Sequence, residues 1–115
     1  MSEFRDDHLY LNDISESVDA IEMYIENMDY NSFIKDRKTY SAAIRELEII
    51  GEAVTKLSEQ LKEQYPDVLW QQIKAFRNKL VHEYFGVDYK IVWDIVKHEL
   101  PILKSQIITI INEIK

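Results

Sequence analysis

Apolar residues recur three and four positions apart along almost the whole chain, and that pattern restricts it to packed amphipathic helices. Leu11, Ile14, Val18, Ile21, Ile25 and Met28 trace one stripe. After a polar, turn-like stretch at 27–32, Tyr40, Ala43, Leu47, Ile50, Val54, Leu57 and Leu61 trace a second. Gly51 sits inside the second stripe, where it costs about 1 kcal/mol against Ala, so a close helix crossing is expected there. Pro66 breaks the chain, and Asp67 is placed to cap a third helix whose apolar face is Leu69, Trp70, Ile73, Phe76 and Leu80. Phe85-Gly86-Val87-Asp88 should end it, with Gly86 as a left-handed cap and Asp88 as the next N-cap. Val92, Trp93, Ile95 and Val96 predict a short fourth helix. His98 to Pro101 predicts a bend, because proline belongs in a helix's first turn. Leu103, Ile107, Ile110, Ile111 and Ile114 predict a fifth.

Two Gly and two Pro in 115 residues leave few turn signals. Strand alternation, repeats and low-complexity tracts are missing. The expected architecture is an all-α antiparallel bundle of four or five helices, one domain over residues 1–115, with the two long helices at its centre. The same heptad-like seams could serve a subunit interface, although core packing is the commoner use.

Composition excludes several classes of function. There is no Cys, so disulfides and thiolate metal sites are ruled out. His8, His82 and His98 are scattered without metal-ligand spacing, so neither a metal nor a cofactor is expected. No apolar run reaches the ~18 residues that span a bilayer, and no cationic start leads into an apolar stretch. The reading is a soluble cytoplasmic protein without membrane contact. A net charge of −7 argues against broad nucleic-acid binding, which runs on clustered cations. Any RNA contact must be local; Lys74, Arg77, Lys79 and Lys90 are candidates for a small patch, or are ordinary solvated side chains.

One run stands apart: Arg77-Asn78-Lys79-Leu80-Val81-His82-Glu83-Tyr84. It combines an obligate cation, an amide, an imidazole and a phenol, a set suited to metal-free phosphodiester chemistry. At ~100° per residue, Arg77 falls within the apolar arc of the third helix. A charge there must be paired, for instance with Glu48 or Glu52, or must face a cleft or interface. Asn78 lies one turn before His82 and could orient the imidazole. Arg77 and His82 are about 140° apart, so one regular helix cannot aim both at one phosphorus. Either the helix loosens near His82 or the groups meet in a cleft shared with another subunit. A lone His near a helix end is more often a surface or dipole partner, and Tyr84 is as readily a half-buried anchor.

The order Arg-polar-x-x-x-His-x-Tyr resembles the signature of HEPN-domain proteins, and more closely the HepT toxin family. Ile50-Gly51-Glu52-Ala53, Trp70-x-x-Ile73, Phe85-Gly86-Val87-Asp88, Val92-Trp93 and Leu100-Pro101 also look family-like, so the resemblance covers roughly residues 7 to 114. It implies a HEPN-like bundle forming a homodimer with both motifs facing a common cleft. It implies a metal-independent endoribonuclease toxin of a type VII-like toxin–antitoxin pair, with RNA as substrate. The cognate antitoxin would be a minimal nucleotidyltransferase that adds AMP to the motif tyrosine. Carried over, Arg77 and His82 are catalytic, Asn78 supports the site and Tyr84 is the AMP acceptor. The alternative is a non-catalytic HEPN module that binds a nucleotide or the partner nucleotidyltransferase, which the low positive charge favours.

Overall fold

The computed structural model describes residues 4–82 and 88–114, and every regular element among them is helical. The order is α1 (Arg5–Tyr24), α2 (Tyr30–Lys35), α3 (Arg37–Lys56), α4 (Glu59–Gln64), α5 (Trp70–His82), α6 (Tyr89–Asp94), a π-helical turn (Ile95–Glu99) and α7 (Leu100–Glu113). This is the all-α, HEPN-like bundle that the periodicity predicts.

The two apolar stripes meet at the centre, where α1 packs along α3. The pair is antiparallel: Asp7, near the start of α1, meets Ser58, just beyond the end of α3. Leu11, Ile14, Val18 and Ile21 of α1 are fully buried, and Ala43, Ile44, Ile50 and Val54 of α3 nearly so. Helix α5 covers the free flank of α3 and α7 that of α1. Lys104 on α7 reaches both Asp19 and Glu22 of α1, at 3.0 and 2.8 Å.

Four differences from the sequence reading have physical causes. The stretch at 27–32 is not all turn. Asn27 takes a left-handed φ of 64°, and Asp29 then caps α2 by accepting from the Ser32 amide at 2.8 Å. Helix α2 buries Phe33 completely, with ring centroids 5.0 Å from Trp93 and 5.7 Å from Tyr40. The second stripe is two helices. Leu57 is extended (φ −66°, ψ 144°) and Ser58 caps α4 through Leu61. Asp67 does not cap the third helix, which begins at Trp70; Trp70 is instead fixed by its indole N–H donating to the Tyr65 carbonyl at 3.0 Å. Finally, Pro101 causes no break. The chain stays helical from Tyr89 to Glu113, and the wider π turn just before Pro101 accommodates a residue that lacks an amide hydrogen.

Asp88 is the expected N-cap, accepting from the Lys90 amide at 2.7 Å. The proposed cap at Gly86 lies outside the described residues.

Candidate functional site

Helix α5 crosses α3 at Gly51. A Cβ at that position would overlap Cβ and Cγ of Arg77 and sit 3.5 Å from its Cα. The missing side chain lets the aliphatic stem of Arg77 lie flat on α3. The charged head then reaches one turn's edge further: Nη2 donates to Glu52 Oε2 at 2.5 Å, and Nη1 donates to Asn78 Oδ1 at 3.0 Å. The Arg77 side chain keeps 30% of its exposure. It is therefore both paired and open to a cleft, which unites the two readings of a charge within the apolar arc. Of the two carboxylates named from spacing, Glu52 is the partner. A guanidinium has five donors, so those not used here remain for an anion.

The cleft is a groove of about 300 Å³ between α1, α3 and the second half of α5. Tyr10, Ile49, Ala53 and Val81 supply its apolar walls, and Arg45, Lys56 and Arg77 its cations. Asp13, Glu48 and Glu52 bring carboxylates into the same space. Lys56 Nζ is 3.9 Å from Glu52 Oε1 and 5.8 Å from the centroid of the Tyr10 ring.

The positive groups differ from those named from sequence. Lys74 and Lys79 are exposed on α5, but Lys90 pairs with Asp94 at 3.1 Å and lies over the Tyr30 ring. Arg45 and Lys56 were missed. The signal was present: positions 45, 48, 49, 52, 53 and 56 follow the three-four spacing of one helix face. That face was passed over because the apolar stripe of the same helix dominates its pattern.

His82 is exposed near the last described turn of α5 and does not line the groove. Helix α5 is regular from Trp70 to His82, so the ~140° between Arg77 and His82 stands. Asn78 directs its side-chain oxygen to Arg77, and no Asn78–His82 hydrogen bond forms among the described residues. Tyr84 lies outside the described residues. Among them, no group of three His, Cys, Asp or Glu is placed to hold a metal, and no helix is long and apolar enough to cross a membrane.

Comparison with known proteins agrees with this geometry. The family described as ribonuclease HepT-like matches residues 14–110. A candidate RNase of Methanocaldococcus jannaschii is 40% identical over 111 residues, covering 96% of this chain and 92% of that protein. A protein named "Probable ribonuclease HepT" from Thermococcus cleftensis is 40% identical over 97 residues, covering 84% and 88% of the two chains. A candidate RNase of Caldanaerobacter subterraneus is 37% identical over 106 residues, covering 92% and 95%. No solved structure gives a significant match. With its Arg77 groove on a helical bundle and relatives matched over nearly their full lengths, this chain belongs to the HepT-like ribonuclease family of HEPN proteins.

Proposed function

We propose that this chain is a metal-independent endoribonuclease, the toxin of a type VII-like toxin–antitoxin pair. It works as a single helical domain in the cytoplasm, without a cofactor. The observation that carries the reading is the state of Arg77: a cation fixed on two sides, with spare donors facing a groove.

RNA supplies its own nucleophile. The 2′-oxygen attacks phosphorus, an O2′–P bond forms and the P–O5′ bond breaks. The products are a 2′,3′-cyclic phosphate and a free 5′-hydroxyl. Arg77 stabilises the charge that builds on the phosphorane oxygens. His82 takes the 2′-proton or returns one to the leaving 5′-oxygen, a contribution of about 10²–10⁴ in rate. Because His82 points away from its own groove, the pair is completed across a homodimer, Arg77 of one subunit acting with His82 of the other. Exposed apolar surface supports subunit association: Leu69 and Ile102 stand 53% and 59% exposed at the lips of an apolar groove between α5 and α7. A minimal nucleotidyltransferase neutralises the toxin by moving AMP onto Tyr84.

A second reading, a non-catalytic HEPN module that binds a nucleotide or its partner enzyme, is favoured by one observation: His82 has no hydrogen-bond partner among the described residues. Incubation of purified protein with single-stranded RNA in EDTA decides between them. The nuclease reading expects cyclic-phosphate ends, and a loss of at least about 10²-fold in Arg77→Ala and in His82→Ala with helicity intact. Cleavage that survives both substitutions contradicts it.

A further inference from the structure

The groove beside Arg77 holds more negative charge than a phosphate path explains. Asp13 on α1 and Glu48 on α3 both line it, and neither has a hydrogen bond or ion pair among the described residues. Two free carboxylates repel an RNA backbone, so in an RNA site they need something that donates to them. The only donors that RNA carries besides its 2′-hydroxyls are on its bases. A carboxylate accepts two parallel hydrogen bonds from a ring N–H beside an exocyclic amine, which is the edge of guanine. Adenine and cytosine offer an amine alone. Uracil sets its one N–H between two carbonyl oxygens, which face a carboxylate unfavourably.

The remaining walls fit the same ligand. Tyr10, Ile49 and Val81 give a flat base apolar contact, and about 300 Å³ is room for one nucleotide rather than a duplex. Arg77, on the opposite wall from Asp13, is placed for the phosphate attached to that nucleotide.

We infer that this groove is a nucleobase subsite that selects guanine beside the scissile phosphate, with Asp13 and Glu48 reading its Watson–Crick edge. The inference rests on the ribonuclease reading for its substrate class, yet binding tests it separately from cleavage. The probes are two labelled 2′-O-methyl RNA hexamers, which cannot be cut: one all uridine, the other with a single central guanosine. Wild-type protein should bind the guanosine hexamer about tenfold or more tightly, the scale of one good bidentate base contact. The double variant Asp13→Ala/Glu48→Ala sits on helices that accept Ala readily. It should bind both hexamers within about twofold of each other, with all-uridine binding unchanged or tighter because repulsion is removed. Equal wild-type affinities, or a preference that survives in the double variant with normal helicity, overturn the subsite and leave the nuclease reading standing. Failure of either hexamer to bind overturns the RNA reading and the subsite with it.

Discussion

The stem of Arg77 occupies the space that any side chain at Gly51 would need. The glycine thus sets both the distance between α3 and α5 and the position of the charge proposed to act on phosphate. Glu52, the next residue, then holds the guanidinium at 2.5 Å.

Gly51→Ala should therefore destabilise the protein, although Ala is the better helix former by about 1 kcal/mol. Overpacking at a helix crossing costs about 1–3 kcal/mol. A urea titration should show a lower midpoint, and RNA cleavage should fall with it because Arg77 is displaced. A raised midpoint would mean the crossing can open freely.

Asp7 is only 4% exposed, and its carboxylate accepts from the amide of Ser58 at 2.8 Å and from its hydroxyl at 2.6 Å. It ties the start of α1 to the break between α3 and α4. Asp7→Ala leaves the Ser58 groups without that partner and should cost about 1–3 kcal/mol. Thermal melts check this, and an unchanged transition would contradict the tie.

Acid should act first on the caps. Backbone and hydroxyl hydrogen bonds from Ser32 and Thr39 pull the Asp29 and Asp36 carboxyls below the ordinary value of 3.8. A lowered folded-state pKa gives stability that is present above the unfolded value and lost as pH falls through the folded one. Wild-type stability should therefore drop below about pH 3.8, and Asp29→Asn/Asp36→Asn should drop less steeply over that range. Parallel acid titrations by circular dichroism compare the two slopes.

Tyr84 should be the acceptor for the partner nucleotidyltransferase. Intact mass after incubation with partner, ATP and Mg²⁺ should rise by one or more AMP units of about 329 Da each in wild type, and stay unchanged in Tyr84→Phe. Equal labelling of both would place the acceptor elsewhere.

The bundle was legible because long helices bury one stripe each, and stripes such as Leu11 to Ile21 are visible in a linear sequence. Gly51 was legible for the same reason, as a costly residue in the wrong place unless a neighbour needs the room. What stayed hidden depends on contacts between distant residues. The α3–α4 break is held by Asp7, 51 positions away, while the apolar spacing runs through it undisturbed. The π turn before Pro101 has no local composition of its own. Glu52 and Glu48 were equal candidates by spacing, and only the crossing at Gly51 chooses between them. The groove escaped because its walls come from α1, α3 and α5 together.

The central claim is that Arg77 and His82, set apart on one helix, act on the same phosphate from two subunits. Mixing Arg77→Ala and His82→Ala chains under exchange conditions, with RNA and EDTA, tests it directly. Half of randomly paired dimers are mixed, and each mixed dimer regains one intact site of two, so activity should return to about a quarter of wild type. A mixture as inactive as either variant alone, beside an active wild type, would contradict the claim and place both groups within one chain.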